Sequence, residues 1–147
     1  MFIARALGVG MADDVINSDD TDYVMRRIRE LYLKDSTVTI VLIGSTWARR
    51  YVDWEIQSSL CHGEIVTPNG LLGIVLPSAG KKPIAPNRLK KNLKGEHSDE
   101  GYARWYWYPK WKNSLANWIE DAFEARTSRS PLIVNPRDRF KYNRNCP

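Results

Sequence analysis

STVTIVLIGSTWARRYVDWEIQSSL, residues Ser36 to Leu60, is the stretch on which the reading of this chain turns. Val38 to Ile43 is a run of β-branched and apolar residues that stops at Gly44. Such a run predicts a strand buried on both faces, as in the middle of a parallel sheet. Gly44, Ser45 and Thr46 predict a tight turn, with Ser45 or Thr46 accepting from the first free N–H groups of a helix. In that helix Val52, Ile56, Ser59 and Leu60 share one face at three- and four-residue spacing, and Trp47, Tyr51, Glu55 and Ser58 line the next. A strand that leads into a helix sets the turn at the strand's carboxyl end, where open α/β sheets bind ligands. Glu55 is then expected close to that crevice.

The rest of the composition is that of one ordinary globular domain. The chain has 147 residues, 43% hydrophobic and 27% charged, enough for a normal core and unlike a disordered sequence. No apolar run approaches the roughly 20 residues of a membrane helix, and Arg5 interrupts the apolar start too early for a signal peptide. The two cysteines, Cys61 and Cys146, lack metal-ligand spacing and read as reduced thiols of a cytoplasmic protein. The formal charge is +5, with excess cations late in the chain at Arg126, Arg129, Arg137, Arg139, Lys141 and Arg144. A solvated charged surface is the first reading of these; a polyanion or acidic partner is the second.

Outward from the central stretch, residues 2–7 suit a short strand that ends in Gly8-Val9-Gly10. Acidic, turn-prone residues 12–22 run into a helix start, and Thr21 to Leu33 presents Val24, Ile28, Leu31 and Tyr32 on one face. After Leu60 a loop leads to a second buried strand, Leu71 to Leu76, which makes a βαβ unit with parallel strands. Residues 77–101 are polar and aperiodic and read as a long surface loop. Tyr102 to Tyr108, YARWYWY, alternates like a strand, and Lys110 to Glu124 is an amphipathic helix with Trp111, Leu115, Trp118, Ile119, Ala122 and Phe123 inside. Residues 127–147 form a basic tail. The element order indicates an α/β domain with helices on both faces of the sheet.

Several familiar sites are excluded. There is no phosphate-binding G-x-x-x-x-G-K-[ST], no complete G-x-G-x-x-G and no G-x-S-x-G elbow. His62 and His97 have no evident partners, so no metal site or Ser-His pair is expected. The aromatic set Trp105, Tyr106, Trp107, Tyr108 and Trp111 could stack on bases. Alternation and helical spacing instead assign Trp105, Trp107 and Trp111 to the core, and nucleic acid is not an expected partner. Arg49 and Arg50 open the central helix, where they could meet phosphate or be exposed. A lone glutamate such as Glu55 is usually solvated; its setting between Trp47, Tyr51 and Trp54 makes it a candidate.

Residues 36–60, with NGLLGIVLP after them, resemble the TIR-like domain of the Thoeris anti-phage defence family. That family carries a TVTIVLIG-like strand and a helix of the form W/Y-V-x-x-E-I, matched here by Val52 through Glu55 to Ile56. YARWYWYP, the helix at 110–124 and LIVNPRDRFKYN resemble its later segments, so the likeness runs from about residue 17 onward. It implies a flavodoxin-like TIR fold across residues 1–147 with an atypical start at 1–16, the family's first strand and helix being missing. It implies cleavage of NAD, as substrate and not as cofactor, between nicotinamide and ribose, of the NAD glycohydrolase or ADP-ribosyl cyclase type. The ADP-ribose part would become a signal, cyclic in form, for a separate effector protein. Glu55 falls on the family's catalytic position, with Gly44, Ser45, Thr46, Trp47, Arg49 and Tyr51 as candidate substrate contacts and no metal. The missing first strand implies an exposed edge beside Val38–Ile43, filled either by a remodelled sheet that uses residues 2–7 or by self-association or a partner chain. The alternative is a non-catalytic, truncated TIR-like module that binds a partner or a signal.

Overall fold

The computed structural model describes residues 17–46, 49–93 and 101–138. The expected strand at 2–7, Gly8-Val9-Gly10, Trp47, His97, Arg139, Lys141, Arg144 and Cys146 lie outside the described residues. The first helix, α1, is Thr21–Ile28; the Asp20 carboxylate caps it by accepting from the Tyr23 N–H at 3.2 Å. The helix then widens into a π-turn over Arg29–Leu33. The extra residue of a π-turn shifts the helical phase. Leu31, expected on the inner face, is therefore exposed, and Leu33 takes the buried place beside Val24, Met25, Ile28 and Trp54.

Three parallel strands follow: β1 Val38–Ile43, β2 Gly70–Val75 and β3 Arg104–Trp107, hydrogen-bonded in the order β1-β2-β3. All six residues of β2 are buried, so β2, not β1, is the central strand among the described residues. This corrects the expectation for Val38–Ile43: among the described residues β1 lies at the edge, and its Leu42 is 62% exposed. Its apolar run is nonetheless what an inner strand carries, so the open edge reads as a place for another strand.

Between β1 and β2 lies α2, Arg50–Ser59, and between β2 and β3 the short α3, Asn87–Lys90; α4, Lys112–Ser128, follows β3. One face of the sheet packs Val41, Ile43, Leu71 and Val75 against Ile56 and Leu60 of α2 and Leu89 of α3. The other packs Leu72 and Ile74 against Ala122, with Leu115, Trp118 and Ile119 of α4 alongside. This is an α/β fold with helices on both faces of a parallel sheet, as flavodoxin-like and TIR-like domains have.

Gly70 fixes how closely α4 approaches. A Cβ at that position would sit 2.1 Å from the Ala122 carbonyl oxygen, so only glycine fits under the helix. The stretch expected as a surface loop, 77–101, is partly core: Ala85, Pro86, Arg88, Leu89 and Asn92 are buried. Trp111 and Phe123, assigned to the inner face of the last helix, are exposed instead. Trp111 is the N-cap of α4, and its extended backbone turns the ring away from the helical stripe.

Candidate functional site

The carboxyl end of β1 leads through Gly44, Ser45 and Thr46 to Arg49, which is the N-cap of α2 in extended conformation. No side chain caps this helix, so Ser45 and Thr46, both exposed, do not play the expected capping role. The connection is longer than a tight turn, since α2 starts only at Arg50. Arg49 is exposed at the helix start. Tyr51 is tied into the protein: its ring meets Trp54 edge-on at 5.6 Å, and its hydroxyl accepts from Arg50 at 2.6 Å. The Arg50 guanidinium lies over the rings of Tyr51 at 4.6 Å and Trp54 at 5.3 Å. Tyr51 thus packs at the contact between α1 and α2 and stays partly exposed.

Glu55 is half-buried, and the helix places it on a definite side. Residues two apart on an α-helix point about 200° apart. Asp53 faces α3, so Glu55 points the other way, past β1 toward the open edge of the sheet. Ser59, one turn further on, confirms that flank by meeting Thr39 of β1 at 2.7 Å. The Ser59 hydroxyl donates to the Glu55 carbonyl at 2.7 Å, so Thr39 must donate to Ser59. Thr39 in turn accepts from the Asn69 amide at 3.2 Å. This chain of bonds locks α2 against β1 beneath Glu55.

The opposite flank of α2 carries what the sequence did not reveal. The Arg88 Nε donates to the Asp53 carboxylate at 2.8 Å, and both side chains are almost fully buried. The same guanidinium donates to the Asn135 side-chain oxygen at 3.1 Å, the Pro136 carbonyl at 2.7 Å and the Asp138 carbonyl. Gln57 donates to the Arg137 carbonyl at 3.0 Å, and Asn92 both donates to and accepts from Val134. Residues 134–138, expected to be part of a basic tail, are therefore clamped to α2 and α3. Arg126 and Arg129 are structural as well. Arg126 donates to the Pro68 carbonyl at 3.1 Å, and Arg129 grips Asp121 through two bonds of 3.0 and 2.7 Å. That grip holds the Asp121 carboxyl below the usual carboxylate range.

Two cavities stand out, and Glu55 lines neither. One, of about 490 Å³, lies between α1 and the end of α2, with Arg26, Arg29, Gln57, Cys61 and Arg137 in its wall. Its cations are mostly committed: Arg29 donates to the Ser58 and Thr67 carbonyls, and Arg137 pairs with Asp22 at 3.0 Å. Burial pushes the Cys61 thiol up, which keeps it protonated and a poor nucleophile. The other cavity, of about 420 Å³, lies among the aromatic side chains of β3 and α4. Among the described residues no three His, Cys, Asp or Glu side chains cluster to hold a metal ion. No helix among them is long and apolar enough to cross a membrane.

An open parallel α/β sheet, with a helix starting at the carboxyl end of its edge strand and a half-buried carboxylate on that helix, defines the class. Residues 9–81 match the family model described as Thoeris protein ThsB, TIR-like domain, and over that stretch the chain belongs to this family. The match spans α1, β1, α2 and β2, hence both the open edge and Glu55. No curated protein and no solved structure matches significantly. Thoeris is an anti-phage defence system, which gives the chain a role in anti-phage defence, in a family whose TIR-like domain works with an effector.

Proposed function

We propose that the chain is a TIR-type NAD-cleaving domain whose Glu55 acts at the open edge of β1. The observation that carries this reading is the orientation of α2, which turns Glu55 away from the Asp53–Arg88 clamp and toward that edge. The bond to break joins C1′ of the ribose to the pyridinium nitrogen. Its electron pair goes to the ring and releases neutral nicotinamide, while positive charge builds on the ribose. A carboxylate beside that charge stabilises it, as in glycoside cleavage. Water at C1′ then gives ADP-ribose and a proton; an adenine nitrogen gives a cyclic product, the signal for a separate effector. Each tenfold gain in rate requires about 1.4 kcal/mol, so one charge in a dry site contributes several decades.

Neither cavity includes Glu55, so the site is expected to close only when a further chain, a second copy or a partner, adds to β1. Exposed Leu42, and the place of β1 at the edge of the sheet among the described residues, support that completion. Gly44, Ser45, Thr46, Trp47 and Arg49 are the proposed substrate contacts on this chain. That Glu55 lines neither of these two cavities favours a second reading, a non-catalytic TIR-like module that docks through β1. The test is incubation of the purified protein with NAD, with and without infected-cell lysate, followed by mass spectrometry of the nucleotides. Nicotinamide release that disappears in Glu55→Gln, with unfolding unchanged, supports the enzyme. No turnover in any state of assembly, with tight association retained, supports the module.

A further inference from the structure

The surface that the proposed reaction leaves unused is the far side of the sheet. Core assignment of Trp105, Trp107 and Trp111 was the ground for setting nucleic acid aside, and the structure removes it. Trp107 is 58% exposed and Trp111 74%, with Tyr108 and Trp105 exposed beside them. All four line the cleft of about 420 Å³ at the outer edge of β3. On the α4 face of β3, Tyr106 stacks on Trp118, ring centroids 4.1 Å apart and planes within 2°.

The lining of the cleft is positive, and the acid nearest its Tyr106 among the described residues, Asp121, is paired with Arg129 at 2.7 Å. Lys110 is its only charged lining residue, and none of the lining residues is acidic. Exposed Lys112 opens α4 directly behind Trp111. On the other side, Leu89 of α3 and Trp105 both come within about 3.1 Å of where a Gly73 Cβ would be, so α3 flanks Trp105. The exposed Lys90 and Lys91 follow Leu89 on that flank. Protein interfaces favour aromatic residues and arginine but are depleted in lysine. Exposed aromatic faces bracketed by lysines match a chain of bases joined by phosphates.

We infer that the β3–α4 edge binds single-stranded nucleic acid, with bases stacked on Trp107, Tyr108 and Trp111 and phosphates held by the flanking lysines. The binding is tolerant of sequence, because every base offers a π-face. It is independent of NAD cleavage at the opposite edge of the sheet.

The experiment is fluorescence anisotropy of a labelled oligothymidylate titrated with the protein over a series of salt concentrations. Two to four phosphate contacts predict a slope of log K against log salt between about −1.4 and −2.8. Trp107→Ala and Trp111→Ala are each expected to weaken binding by about 5- to 150-fold, the range of one lost base stack. Both rings are exposed, so these variants should keep the wild-type urea midpoint, which is measured alongside. Absence of binding overturns the proposal, as does binding that both variants leave intact. Equal affinity for duplex or for free AMP overturns it too. So does sedimentation showing self-association that Trp107→Ala abolishes, which would assign the edge to a second copy.

Discussion

Replacing Arg88 with methionine tests the largest structural claim, because it removes one charge from a buried pair and leaves the other in place. Asp53 and Arg88 are almost fully buried, and the guanidinium also holds Asn135, Pro136 and Asp138. Removing one partner of such a pair costs about 3–5 kcal/mol, mostly from the uncompensated charge left behind. Domains of this size have about 5–15 kcal/mol of stability in total, so the variant should fold but marginally. With an m-value of about 2 kcal/mol per molar urea, a loss of about 4 kcal/mol lowers the midpoint by about 2 M. The double variant Asp53→Leu/Arg88→Met should recover part of this, since no lone charge remains. Full recovery is not expected, because the carbonyls of 136 and 138 still lose their donor. Limited proteolysis should cut Arg88→Met within residues 134–138 well before the wild type. A loss below about 1 kcal/mol, or a double variant no better than the single, would refute the buried clamp.

Gly70→Ala should destabilise by about 1–3 kcal/mol in urea denaturation, because α4 must lift off a methyl group with no room beneath Ala122. Burial raises the Tyr102 phenol to about 12, and its hydroxyl donates to the Asn69 carbonyl at 2.6 Å. A raised folded value means stability that is intact below the unfolded pKa of about 10 and lost as pH climbs toward 12. Tyr102→Phe should remove that part of the alkaline limb of a stability–pH curve. Asp121 has the opposite sign: its lowered carboxyl supports the fold above pH about 4 and ceases to do so as pH falls through its folded value. Asp121→Asn should flatten the acid limb. Leu42→Lys, at an exposed position, should leave the urea midpoint within about 0.5 kcal/mol of wild type. It should abolish any association seen by sedimentation through β1.

The parts of the fold that were legible in the sequence are those governed by local periodicity. The runs at 38–43 and 70–75 and the helix after Arg50 followed from apolar spacing, because each is set by its own neighbours in the chain. Strand position was not legible. Val38–Ile43 has the composition of an inner strand, yet β2 takes the centre, and no local pattern records which strands flank a given one. The π-turn at Arg29–Leu33 escaped because one added residue rephases a helix without changing its composition. The aromatic residues misled in another way. Alternation gives Trp105 and Trp107 a common face, but whether anything covers that face depends on the width of the sheet. Asp53 and Arg88 are distant in the chain, and each alone looks like a solvated charge; their pairing is visible only in three dimensions. For the candidate site, Glu55 and the β1–α2 connection could be named from the strand-to-helix pattern and the family likeness. The burial of Tyr51 against Trp54 could not, since it depends on how α1 crosses α2.

The grip of Arg88 and Gln57 on residues 134–138 joins positions far apart in order of synthesis: Gln57 meets Pro136 across 79 residues. At about 5–20 residues per second, roughly 4–16 s separate the appearance of α2 from that of its last carbonyl partners. Asp53 meets Arg88 after only 35 residues, but Gln57 waits the whole interval for its carbonyl partners. A nascent chain halted between α3 and β3 would carry a sheet with two strands and a helix whose polar flank is unfinished. Translation speed over the second half of the message should therefore influence how much of this protein reaches its folded form.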